Sequence, residues 1–149
     1  MWYPFWMPIN KTFHVENEAA LAGVAAQIAP LVAHGAIVAL EGNLGAGKTA
    51  FARALIRHLT GKPDLDVPSP TFTLLQTYEA NGIPIWHFDF YRLKHPEEVF
   101  ELGWEDALAS GGILLLEWAE RIGPLLPSSV MHIVLTPDGA TSRTLEVRA

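Results

Sequence analysis

The 149-residue chain contains no cysteine. That excludes a disulfide framework and thiolate metal sites, leaves the chemistry to oxygen and nitrogen ligands, and suits a reducing compartment. Basic residues are scarce: Lys and Arg total 10 against 16 acids, for a formal net charge of -6. Such a chain has no broad basic face with which to hold an RNA or DNA backbone unaided, so any connection to nucleic acid should run through a partner. No apolar run approaches the roughly 20 residues of a membrane-spanning helix. The N-terminal stretch Met1 to Asn10 lacks a positive region, and Pro4 and Pro8 interrupt its apolar character, so it does not read as a secretory signal. The expected location is the cytoplasm, with no membrane partner. There is also no internal repeat, low-complexity tract or linker. The expectation is an aromatic leader over residues 1–10 followed by a single domain over 11–149, with enough apolar sequence for one buried core.

What is present reads as alternating strands and helices. Lys11 to Val15 is a strand candidate, and Asn17 is a plausible N-cap for a helix ending near Pro30 or Gly35. Ala36-Ile-Val-Ala-Leu40 is apolar on both faces, as in a central parallel strand covered by helices on both sides. Lys48 to Leu59 carries apolar residues at 51, 54, 55 and 59, a helical spacing, with Gly61 as the stop. Val67-Pro-Ser-Pro70 enforces a rigid extended loop. Two strands, Thr71 to Tyr78 and Ile83 to Phe90, flank the hairpin signal Asn81-Gly82. Pro96 to Leu102 reads as a short helix and Ile113 to Leu116 as a fully apolar strand ended by Glu117. Val130 to Thr136 and Arg143 to Val147 form a closing hairpin around Pro137-Asp-Gly139.

The segment Gly42-Asn43-Leu44-Gly45-Ala46-Gly47-Lys48-Thr49 matches the Walker A pattern G-x-x-x-x-G-K-[ST]. Its glycines let several backbone N–H groups point into one concavity, and the following helix N-terminus makes that concavity favourable for phosphate. Lys48 would reach the β- and γ-phosphates of ATP, and the Thr49 hydroxyl would ligate Mg²⁺. A glycine-rich turn can match by accident, but the buried strand before it and the amphipathic helix after it are the context a true phosphate loop requires. A Walker B carboxylate should end a neighbouring hydrophobic strand. Glu117 and Asp89 both qualify, Glu117 with the cleaner apolar approach, and the bland alternative for each is a solvated strand-end acid. Five histidines, 14, 34, 58, 95 and 132, show no metal-ligand spacing; His87 stands apart only by lying two residues from Asp89.

Four blocks, in order, resemble the TsaE (formerly YjeE) family of bacterial P-loop ATPases. They are Leu40-Glu-Gly-Asn-Leu-Gly-Ala-Gly-Lys-Thr49; Val67-Pro-Ser-Pro-Thr-Phe-Thr-Leu74 with Tyr78; His87-Phe-Asp-Phe-Tyr-Arg-Leu93; and Leu116-Glu-Trp-Ala-Glu-Arg121. The chain departs from the usual pattern at Asn43, Ala50 and Ala119, and none of these departures removes a phosphate or metal ligand. The resemblance implies a three-layer α/β/α P-loop NTPase-like fold, with a mostly parallel central sheet and antiparallel hairpins. It further implies weak Mg²⁺-dependent ATP hydrolysis that rises with two partners, TsaD and TsaB. TsaD places the threonylcarbamoyl group on the adenosine next to the tRNA anticodon. Carried over, Thr49 and Glu117 ligate Mg²⁺, Lys48 neutralises phosphate charge and Asp89 assists from a switch region. Ser69, Thr71 and Thr73 belong to a loop that senses the γ-phosphate, and Trp118 and Arg121 shape the site mouth.

Rival readings leave specific marks. A small-molecule P-loop kinase, the main alternative, usually carries an arginine-bearing lid, whereas the six arginines here are scattered. A regulatory GTPase would show N-K-x-D after the loop; the only Asn-Lys pair, Asn10-Lys11, precedes it. A non-catalytic nucleotide-gated module differs from the family role only in turnover.

Overall fold

A computed structural model describes residues 8–149. The leader's Trp2, Tyr3, Phe5, Trp6 and Met7 lie outside the described residues. The strands are β1 (Asn10–Val15), β2 (Ile37–Glu41), β3 (Leu75–Ala80), β4 (Ile83–Asp89), β5 (Ile113–Glu117), β6 (Met131–Pro137) and β7 (Arg143–Arg148), and the α-helices are α1 (Leu21–Val32), α2 (Lys48–Thr60) and α3 (Trp104–Ala109). Strands of the described residues form one sheet in the order β1-β7-β6-β2-β5-β4-β3. Its centre, β6-β2-β5-β4, is parallel, while β7, β1 and β3 join antiparallel at the margins. The chain is thus an α/β protein whose mixed sheet has the expected parallel centre and antiparallel hairpins.

Side-chain alternation divides the core into two layers. Val38, Leu40, Ile113, Leu115 and Ile85 face α1 and α2. Ala39, Leu114, Leu116 and Phe88 face the other side, where Trp104 and Ala107 of α3, Val99 of the 3-10 segment Pro96–Leu102 and Ile122 of the 3-10 segment Ala119–Leu125 cover them. Because β2 and β5 are buried on both faces, they must be apolar throughout, which is the pattern their sequences carry.

Local chemistry sets the boundaries. The Asn17 side chain accepts from the Ala20 N–H at 3.1 Å, opening a 3-10 turn that runs into α1. Pro30 sits inside the last turn of α1, where burial of Leu31 and Val32 carries the helix past it. Asn81 and Gly82 take φ values of 52° and 83°, the left-handed pair that a two-residue β3–β4 turn demands. The strand expected from Thr71 starts only at Leu75. Leu74 has φ 68° and donates its N–H to the Pro70 carbonyl at 2.7 Å, so residues 71–74 form a turn despite their β-favouring threonines.

The register brings Leu40 of β2 beside Glu117 of β5, and Glu117 beside Asp89 of β4. All three stand at the carboxyl ends of parallel strands, the edge from which the Gly42 loop departs and where open α/β sheets hold their ligands.

Candidate functional site

The loop from Gly42 to Gly47 leaves β2 and enters α2 through three glycines of positive φ, at 153°, 82° and 98° for Gly42, Gly45 and Gly47. At Gly42 the requirement is steric as well as conformational, because a Cβ there would stand 2.7 Å from the Leu135 carbonyl oxygen and 2.9 Å from Ala46 Cβ. The Ala46 N–H closes the turn on the Asn43 carbonyl at 2.9 Å, and Leu44 projects into solvent at the tip. Arg143, the first residue of β7, reaches across to donate from Nη1 to the Ala46 carbonyl at 3.3 Å. Its guanidinium fills the space a Cβ of Gly47 would need.

At the start of α2, Lys48 turns back over the loop. Its ammonium donates to the Gly42 carbonyl at 2.5 Å and lies 3.7 Å from the centre of the Trp118 ring. Burial pulls the Lys48 pKa below the ordinary lysine value, an effect that the nearby carboxylates Glu117, Glu120 and Asp89 oppose. Thr49, next along, donates from its hydroxyl to Glu117, with 2.9 Å to Oε1 and 3.1 Å to Oε2. Glu117 is buried, and its Oε2 also lies 2.6 Å from His87 Nε2.

Asp89 is buried beside Glu117 but holds different partners. It accepts from the Tyr91 N–H at 2.9 Å and from the Thr71 hydroxyl at 3.4 Å. Burial, the largest influence, and the neighbouring Glu117 charge raise its pKa, while the Tyr91 and Thr71 hydrogen bonds pull the other way. The Ser69 and Thr71 hydroxyls are 2.7 Å apart, so a short hydroxyl chain runs from the 69–73 loop to Asp89. Thr73 is not part of it; its hydroxyl accepts from the Gln76 amide at 3.1 Å. Trp118 has φ 58°, a left-handed corner that turns the chain out of β5, and its ring packs 4.9 Å from that of Tyr91. Arg121 lies over the outer side of Tyr91 at 5.1 Å. It therefore borders the site through two aromatic rings. On the 69–73 loop, Phe72 is exposed beneath the Arg92 guanidinium at 4.9 Å.

Two contacts have no signal in the sequence patterns. His87 meets Glu117 across 30 residues, and Arg143 meets Ala46 across 97. Both follow from strand order, which local periodicity does not encode.

A parallel sheet, a glycine loop running from β2 into the N-terminus of α2 and a buried acid ending the adjacent strand define a class: P-loop NTPase-like α/β proteins. The comparison with known proteins narrows it. The family model for threonylcarbamoyl adenosine biosynthesis protein TsaE matches residues 15–145, and the chain belongs to that family. It is 44% identical over 121 residues to the tRNA threonylcarbamoyladenosine biosynthesis protein TsaE of Rickettsia felis, covering 81% of this chain and 70% of that protein. Against the protein of the same name from Bacillus subtilis it is 34% identical over 139 residues, covering 93% and 84%. The crystal structure of Bacillus subtilis YdiB superposes with a TM-score of 0.77 at 29% identity, covering 96% of this chain and 87% of that one. Among the described residues, no helix is long and apolar enough to cross a membrane.

Proposed function

We propose that this chain is an ATP-binding, weakly ATP-hydrolysing accessory protein of tRNA threonylcarbamoyladenosine formation. It acts in the cytoplasm with TsaD and TsaB and meets tRNA only through that complex. The observation that carries the nucleotide reading is the contact of Thr49 with both oxygens of buried Glu117 at the foot of the glycine loop.

In this reading residues 42–49 wrap the phosphates with backbone N–H groups, and Lys48 supplies the mobile positive charge. The hydroxyl of Thr49 and the carboxylate of Glu117 suit a hard divalent cation such as Mg²⁺, which favours oxygen ligands. Thr49 and Glu117 would be the chain's own ligands, with phosphate oxygens and water completing the shell. Magnesium, when bound, neutralises charge on the β- and γ-phosphate oxygens. Asp89, whose pKa burial raises, would exchange a proton as water attacks. The Ser69–Thr71–Asp89 hydroxyl chain links the 69–73 loop to that acid, as a γ-phosphate sensor requires.

The test is ATP hydrolysis by the chain alone and with the TsaB–TsaD pair added, with and without Mg²⁺. The expected result is slow Mg²⁺-dependent turnover that rises on addition of the pair. Turnover indifferent to both additions would overturn the proposal.

A further inference from the structure

The geometry points to His87 as the positioning residue of Glu117: a hydrogen-bond donor from β4 that holds the carboxylate in the orientation Thr49 and a magnesium ion share. The inference rests on the magnesium reading above and adds to it a residue that reading does not use.

Three observations carry it. First, the His87 side chain is fully buried and lies 2.6 Å from Glu117 Oε2, itself buried. Second, the Glu117 oxygens lie 2.9 and 3.1 Å from the Thr49 hydroxyl, and a carboxylate that holds magnesium can only accept, so in the magnesium reading the hydrogen toward His87 is donated from Nε2. Third, His87 Nδ1 is buried and has no hydrogen-bond partner among the described residues. An unpartnered buried polar atom is a cost, and an apolar residue would fill the same volume without it. The ring's polar contact is thus spent wholly on Glu117. With Thr49 donating from one side and His87 from the other, the carboxylate is clamped by two donors on two elements, α2 and β4. Loss of such an outer hydrogen bond weakens metal binding by roughly 10–100-fold in well-studied sites.

The experiment compares the full chain with His87→Gln, His87→Asn and His87→Leu. The Gln amide nitrogen reaches about as far as Nε2, the Asn amide stops at the Nδ1 position, and Leu has no donor. Mg²⁺ is titrated against the affinity for ADP bearing a fluorescent ribose label, and each variant's melting temperature is recorded. Half-saturating Mg²⁺ should rise about tenfold or more in the Leu and Asn variants and stay within about threefold in the Gln variant, while affinity without Mg²⁺ is unchanged in all. The ¹⁵N spectrum of wild-type His87, free of metal and nucleotide, should show a proton on Nε2. Equal Mg²⁺ requirements in all folded variants, or a Gln variant as impaired as Asn, would overturn the inference, as would a ring protonated at Nδ1 alone. If Leu does not fold, the Gln–Asn pair decides. A wild-type chain whose ADP affinity ignores Mg²⁺ would instead sink the magnesium reading on which the inference stands.

Discussion

The ammonium of Lys48 rests 3.7 Å from the centre of the Trp118 ring while donating to the Gly42 carbonyl. Both contacts occupy a cation that a phosphate group would need, and a cation–π contact of this kind contributes about 0.5–2 kcal/mol. Phosphate binding should therefore draw Lys48 away from the indole. The expected outcome is a change in tryptophan emission when ADP is added, lost in Trp118→Phe. Trp104 packs on Phe88 and Phe90 and Trp86 donates to the Ser110 hydroxyl, so neither should report it. An undiminished change in the variant would assign the signal to another tryptophan and remove this account.

Replacing Lys48 with Ala should weaken ADP binding by about 10–100-fold, the scale of a hydrogen bond to a charged group. The fold should survive with little loss of melting temperature, because removing a desolvated ammonium also removes the burial penalty that lowers its pKa. Calorimetric titration with ADP checks the first statement and thermal melting the second.

Gly42 and Gly45 separate two reasons for glycine in the loop. Both have positive φ, but a Cβ at Gly45 meets nothing within 4 Å, whereas one at Gly42 collides with the Leu135 carbonyl and Ala46. Gly45→Ala should cost about 1–2 kcal/mol of stability, the penalty of left-handed backbone. Gly42→Ala should cost more and also impair ADP binding, since the strand-to-loop corner must shift. Denaturant midpoints for the two variants test the ranking.

Much of this arrangement was legible because local chemistry and tertiary placement agree. The all-apolar runs before Gly42 and Glu117 are what doubly covered parallel strands need, and Asn81-Gly82 dictates its own turn. Where they disagree, the sequence misleads. Thr71 and Thr73 favour strand, yet the left-handed Leu74 turns that segment back so that Thr71 reaches Asp89. Helix α3 went unread because six residues, Trp104-Glu-Asp-Ala-Leu-Ala109, are too few for a helical period to emerge, and its stability comes from Trp104 packing on Phe88 and Phe90. Within the site, the glycine loop and both acids were visible as motifs. The His87 and Arg143 contacts were not, because one joins the neighbouring strands β4 and β5 and the other runs from β7 to the glycine loop, and both placements are fixed only by the assembled sheet.

Asp89 and Glu117 are register partners on adjacent strands, and their different surroundings predict different phenotypes. Glu117 is held by Thr49 and His87, so Glu117→Gln should raise the Mg²⁺ requirement for ADP binding and for hydrolysis, a neutral amide being a poorer hard-cation ligand. Asp89 contacts neither group, so Asp89→Asn should lower turnover without moving the Mg²⁺ requirement. The reverse pattern would assign the metal to Asp89. Stability offers an independent check. Burial raises the Asp89 pKa above its unfolded value, so the folded chain binds that proton more tightly than the unfolded chain does. The resulting stability is fully present below the unfolded pKa and is lost as pH rises through the folded one, above which the buried carboxylate is a burden. An asparagine keeps the acceptor for the Tyr91 N–H and turns its amide toward the Thr71 oxygen, without a charge to desolvate. Asp89→Asn should therefore melt a few degrees higher than wild type at neutral pH, and the advantage should vanish as pH falls below the unfolded carboxyl pKa of about 4. Melting curves of both proteins across that range would contradict this account if the variant were less stable at neutral pH or its advantage grew on acidification.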